Sequence, residues 1–93
     1  EKVPNGCTDL ADQARRAAAS VPLNLSEGAG RTGKARINHF RIAYGSVRET
    51  RTAVQLLVGV RAVEAREGQE AAEVLDRVGA MCWKLIGRAG PGH

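Results

Sequence analysis

Few side chains in this chain are of the types that do chemistry: the carboxylates Glu27 and Glu49, the imidazoles His39 and His93, the thiols Cys7 and Cys82, and a glycine-rich stretch at 28–34. Paired carboxylates cleave glycosides when about 5–10 Å apart. A thiol or hydroxyl beside an imidazole makes a nucleophile. Glycines ahead of a lysine can cradle phosphate. Each possibility depends on the elements that carry these residues. Glu27 and Glu49 fall on two consecutive helices joined by a short loop, about 15 residues apart along the packed pair, or roughly 22 Å. They are too distant to act as one acid–base pair. His39 stands beside Phe40 with no serine or cysteine nucleophile expected near it, and His93 lies in the C-terminal tail. Gly28-Ala29-Gly30-Arg31-Thr32-Gly33-Lys34 lacks the preceding strand and the Gly-Lys-Ser/Thr ending of a phosphate loop. No Glu-x-x-His pair is present for a bundle metal site. The two cysteines are too few and too far apart for a zinc site or a disulfide framework. Cys82 reads as a buried small hydrophobe, and Cys7, in an expected turn, receives no function. Catalytic residues, metal and cofactor are therefore all expected to be none.

The helices are read from apolar periodicity. Turn residues Pro4-Asn5-Gly6-Cys7-Thr8 precede a first helix capped by Thr8 or Asp9, with Leu10, Ala14, Ala17, Ala18, Val21 and Leu25 on its apolar stripe. Pro22 interrupts that stripe and is expected to kink or divide the helix. A left-handed glycine at Glu27-Gly28-Ala29-Gly30 is expected to end it. Thr32 should cap a second helix of about 25 residues. Its buried stripe is Ile37, Phe40, Tyr44, Val47, Val54 and Leu57, widened by Ile42, Leu56, Val58 and Val60. Gly45 is expected to admit another helix closely. The stretch 59–68 holds a frayed end, a turn and a new start. A third helix follows with Ala71, Val74, Leu75, Val78, Met81, Cys82, Leu85 and Ile86 inward. Residues 87–93 read as a disordered tail, and no strand or internal repeat is evident. Residues 1–93 make one helical-bundle domain, all-α in class.

Beside the apolar stripe of the first helix, Gln13, Arg16, Ser20, Asn24 and Glu27 recur at intervals of 3, 4, 4 and 3. A short loop pivoting near residues 30 and 31 would set facing positions so that their numbers total about 61 or 62. Arg16 would then face Gly45 and Ser46, within a turn of Glu49, and Glu27 would lie near Lys34. An Arg16–Glu49 ion pair and a Glu27 carboxylate near the positive end of the second helix are the expected outcomes.

Charge is unevenly spread. Residues 15–51 carry Arg15, Arg16, Arg31, Lys34, Arg36, Arg41, Arg48 and Arg51 against Glu27 and Glu49, eight cations to two carboxylates, net +6. Residues 52–93 carry five of each sign and sum to zero. Such segregation suggests a surface facing a polyanion, of which nucleic acid is the usual one; the bland alternative is a solvated arginine-rich surface. No apolar run of about 18 residues suggests a membrane span. No signal-peptide pattern opens the chain, so the cytoplasm is the expected location.

The segment Asp12-Gln13-Ala14-Arg15-Arg16-Ala17-Ala18-Ala19-Ser20-Val21-Pro22-Leu23-Asn24-Leu25-Ser26-Glu27-Gly28 resembles a signature of the four helix bundle family known as 23S ribosomal RNA intervening-sequence proteins. Ile42-Ala43-Tyr44-Gly45-Ser46-Val47-Arg48-Glu49 is similar to that family's second block, and Val78-Gly79-Ala80-Met81-Cys82-Trp83-Lys84-Leu85 looks like its closing helix. The resemblance spans about residues 9–87. Gln13, Arg16, Ser20, Asn24, Glu27, Ser46 and Glu49 match motif positions and form the expected structural polar network. The resemblance implies an antiparallel up-and-down four-helix bundle that assembles as a homopentamer. It also implies kinship with the accessory variability determinant of diversity-generating retroelements, a basic bundle that works with a reverse transcriptase and its nucleic acid. The family pattern has a helix ahead of the Pro4-Asn5-Gly6 region that is not seen in the sequence from Glu1 onward; either it precedes Glu1 or it is supplied otherwise. Three helices would leave apolar surface bare, which favours self-association.

The expected function is thus a non-catalytic oligomeric bundle binding RNA or DNA through Arg15, Arg31, Lys34, Arg36, Arg41, Arg48 and Arg51, as an accessory to another nucleic-acid enzyme. With almost no exposed aromatic residue, sequence-selective recognition of single strands is not expected. The alternative is a structural or protein-interaction module without nucleic-acid binding.

Overall fold

In the computed structural model, residues 5–89 are described, with side chains from Thr8 onward; Pro4, the tail beyond 89 and the side chain of Cys7 lie outside that range. Among the described residues there are three α-helices and no strand: α1 (Asn5–Ala29), α2 (Gly33–Gly59) and α3 (Ala65–Ala89). α1 starts earlier than its turn-like residues suggest, at Asn5 rather than behind a Thr8 or Asp9 cap. Asn5, Gly6, Cys7 and Thr8 all join the helix. Pro22 leaves it undivided; the proline faces solvent, and the turns on either side are secured by packing onto α2. α3 takes in residues 87–89, expected as tail, with Glu67 in its first turn and Arg88 in its last to complement the helix dipole.

The ends are made differently from expectation. Gly28 and Gly30 do not carry the left-handed conformation at the end of α1. It falls instead at Gly33, with φ 61°, where α2 begins. The last carbonyls of α1 are satisfied from across the loop: the Arg36 guanidinium donates to Gly28 O at 3.2 Å and to Ala29 O at 3.0 Å. Thr32 does occupy the N-cap of α2, but its side chain makes no capping hydrogen bond. α2 ends in a Schellman arrangement, with Arg61 N donating to Val58 O and Ala62 N to Leu57 O, both at 2.9 Å. Arg61 itself takes the left-handed conformation usually left to glycine, at φ 63°.

α2 is the middle of the molecule. Both α1 and α3 pack on it, while no Cα of α1 comes within 8 Å of one in α3. The core is small, centred on Val21, Ala43, Val47 and Cys82, with Leu25, Tyr44, Leu75 and Val78 packed around it. Ile37, Phe40 and Leu57 are buried as expected. Ile42, Leu56, Val60, Val74 and Met81, assigned to apolar stripes, stand exposed. Nothing among the described residues covers them. The glycines that admit a neighbouring helix include Gly28, where a Cβ would collide with Phe40, Gly68, where one would collide with Val58, and Gly79, where one would lie 3.4 Å from Val47 Cγ1. Gly45, expected in that role, faces open space.

Candidate functional site

Across α1 and α2, Ser20 meets Ser46, Asn24 meets His39, and Gly28 lies against Phe40 and His39. These pairs total 66, 63 and 68 rather than 61 or 62, so partners on α2 are displaced from the expected register by one to as many as seven residues. Side chains lean toward the N-terminus of their own helix, so those of α1 lean away from the loop and those of α2 toward it. Partners on α2 must therefore lie further from the loop than equal spacing implies. The Ser46 hydroxyl consequently bonds Ser20, while Arg16 lines one cleft with Ser46 and Glu49 as expected.

That register draws Ser20, Asn24 and Ser46, three of the seven expected members, into one network. The Ser46 hydroxyl donates to Ser20 Oγ at 2.9 Å, and Asn24 Nδ2 donates to Ser20 Oγ at 3.0 Å and to Ser20 O at 2.9 Å. Asn24 Oδ1 lies 2.9 Å from His39 Nδ1, and Thr50 Oγ1 donates to Ser46 O at 2.7 Å. No buried side-chain polar atom among the described residues lacks a partner, as a load of buried hydroxyl and amide groups requires. His39 and Thr50 were missed as members. For His39 the signal was close at hand, since its position falls one residue beyond the partner that the expected loop geometry assigns to Asn24. Gln13, Arg16 and Glu49 line a cleft with Ser20 and Ser46. The expected Arg16–Glu49 ion pair is not formed: no hydrogen bond or salt bridge joins them. Nor does Glu27 serve Lys34. Its carboxylate accepts from Arg31 at 2.6 Å, one turn along and in easier reach.

The seven candidate phosphate-binding cations sit in different surroundings. Arg15 pairs with Asp12 at 2.6 Å on the exposed side of α1, and Arg31 with Glu27. Arg36 is occupied by the end of α1. Arg51 reaches across to α3 and holds both oxygens of Asp76, at 2.7 and 3.3 Å. The hydrogen bond, then the charge, of Asp76 raises the Arg51 guanidinium above its ordinary value. Lys34, Arg41 and Arg48 are different. They are seven residues apart on α2, so they lie in one line on its outward face, about 21 Å from first to last. None has a carboxylate partner among the described residues. Positions 34, 38, 41, 45, 48, 52 and 55 on this face are Lys, Asn, Arg, Gly, Arg, Thr and Gln, all exposed and none acidic.

Arg48 also borders a second feature. Its guanidinium lies 6.0 Å from the centre of the Tyr44 ring, and Tyr44 meets Trp83 of α3 with centroids 5.4 Å apart and planes inclined by 50°. Trp83 is 63% exposed, contrary to the expectation that almost no aromatic ring is open. The spacing of a single tryptophan among small residues on α3 gave no sign of which side it would take. Among the described residues no three metal-ligating side chains gather. Cys82 is fully buried, and burial raises its thiol above the usual range.

These helices, with a satisfied polar seam on one side and a row of cations without a carboxylate partner among the described residues on another, make a small all-helical protein. A family model for the 23S rRNA-intervening sequence protein matches residues 5–84, and the chain belongs to that family. No curated protein and no solved structure matches it. Among the described residues no helix is long and apolar enough to cross a membrane.

Proposed function

We propose that this chain is a non-catalytic scaffold that binds nucleic acid through the outward face of α2. The observation that carries this reading is the row Lys34, Arg41 and Arg48, without a carboxylate partner among the described residues and with only Glu49 at its edge. Cations so placed attract phosphates and release counterions, giving salt-dependent affinity without base selectivity. Arg51 stands at the edge of the row, while Arg15 and Arg31, being exposed ion pairs worth little on their own, can exchange a carboxylate for a phosphate. Arg36 contributes least, because its guanidinium already satisfies the end of α1.

The exposed Ile42, Leu56, Val60, Val74 and Met81 support the further reading that the chain completes its core by association. Completion could take the form of an antiparallel four-helix bundle and a homo-oligomer of the pentameric kind, working as accessory to a nucleic-acid enzyme such as a reverse transcriptase in the cytoplasm. The alternative, an interaction module that binds no nucleic acid, draws on the same apolar surface.

Anisotropy titrations of a duplex oligonucleotide against the full chain at about 50 and 200 mM salt separate the two. Binding at low salt should weaken steeply, and the triple variant K34A/R41A/R48A should lose about 2–3 units of the log–log salt slope. No binding at low salt would remove this reading and leave the interaction module. Light scattering tests the association.

A further inference from the structure

We infer that the groove between α2 and α3 beside Trp83 is a stacking site for an unpaired base of single-stranded nucleic acid, an inference that rests on the phosphate-binding reading of α2 and extends it. Stacking platforms need an open π-face, and Trp83 supplies one: it is 63% exposed, and Tyr44, half-buried beneath, meets its ring at 5.4 Å and holds it from the α2 side. The groove they floor has a volume of about 540 Å³, within the range of sites that take a small planar ligand. Its rim is cationic. Arg48, Arg51 and Lys84 stand against the single carboxylate Asp76, three charges against one, net +2. Arg51 already neutralises Asp76, leaving Arg48 and Lys84 without a carboxylate partner among the described residues, one on each helix, to hold the phosphates on either side of a stacked base.

Continuity with the outward face decides the occupant. Arg48 is both the last cation of the Lys34–Arg41–Arg48 row and a wall of this groove. A strand whose phosphates follow the row therefore arrives at Trp83 with its next base beside the ring. A duplex keeps its bases stacked on one another and has none to offer. Base–aromatic stacking with flanking cations tolerates any sequence, which agrees with the absence of side-chain amides in the groove wall.

Trp83 is the only tryptophan, so its emission reports the site directly. The full chain is titrated with a 12-nucleotide oligodeoxythymidylate and, separately, with a 12-base-pair duplex, reading tryptophan emission and the anisotropy of a labelled oligonucleotide. The single strand should quench emission and the duplex should not. Trp83→Leu should weaken single-strand binding about tenfold, which lies within the cost of losing one stack, and change duplex binding less than twofold. Trp83→Phe, keeping a π-face, should restore most of the loss. Helicity of the variants by circular dichroism confirms that the exposed position leaves the fold intact. If the single strand binds with salt dependence but leaves emission unchanged, or W83L binds it as the wild type does, the stacking site is refuted and the phosphate face stands. If iodide fails to quench the free protein, the ring is covered in solution and the inference is likewise overturned. If neither oligonucleotide binds at low salt, the groove and the face fall together.

Discussion

At the scale of single residues, identical amino acids acquire opposite roles from what they face. Gly28 and Gly45 are both helical glycines. A Cβ on Gly28 would lie 2.7 Å from Phe40 Cε1 and 3.1 Å from His39 Cβ, whereas one on Gly45 would meet nothing within 4 Å. Gly28→Ala should therefore destabilise by about 1–3 kcal/mol through overpacking, exceeding the gain of up to about 1 kcal/mol in helix propensity. Gly45→Ala should keep that gain and stabilise. Urea midpoints of the two variants check the sign, and a stable Gly28→Ala would show that Phe40 has room to move. Cys82 is a second case. Buried and raised, its thiol should react with a disulfide reagent far more slowly in the native protein than in denaturant, as peptide mapping at position 82 would show. The sign with pH follows: the folded thiol stays protonated while the unfolded one ionises near pH 8.5. Its contribution to stability is present below that pH and declines as pH rises above it.

At the scale of elements, the helices were largely legible and their ends were not. Apolar spacing located α2 to within a few residues of Gly33–Gly59, because a long stripe of Ile37, Phe40, Val47 and Leu57 repeats the same information at each turn. Ends depend on one or two local bonds. The stop of α1 looked like a glycine signal and proved to be a pair of hydrogen bonds from Arg36, eight and seven residues on, which no local pattern announces. The stop of α2 uses Arg61 at φ 63° in a position that glycine fills without strain. Arg61→Gly should accordingly raise stability by about 1 kcal/mol, seen as a higher melting temperature by calorimetry. A lower one would mean that the arginine side chain contributes something the backbone does not reveal. Of the polar line, Ser20 and Asn24 meet Ser46 and His39 in one network, with partners displaced because the opposed lean of side chains on α1 and α2 was not carried into the expected register.

At the scale of the whole molecule, the dimensions are 46 × 20 × 15 Å with a radius of gyration of 14.8 Å, against about 12 Å for a compact chain of this length. The charge asymmetry of the sequence did not tell which cations remain open. Asp12 and Glu27 occupy Arg15 and Arg31 at ordinary helical spacing, which the sequence offered, whereas Asp76 reaches Arg51 only through the packing of α3 on α2. Apolar periodicity also overstated burial: it counts a residue such as Met81 as inward, and Met81 is 59% exposed with no further helix beside it.

With α1 and α3 each resting on α2 and their backbones apart, either outer helix can loosen while the other keeps its seat. Opening of the chain should then be graded from the flanks inward. Amide deuteration followed by mass spectrometry should find the middle turns of α2, around Ala43 to Val47, the last to take up label. Equal protection in all three helices would mean that they come apart only together.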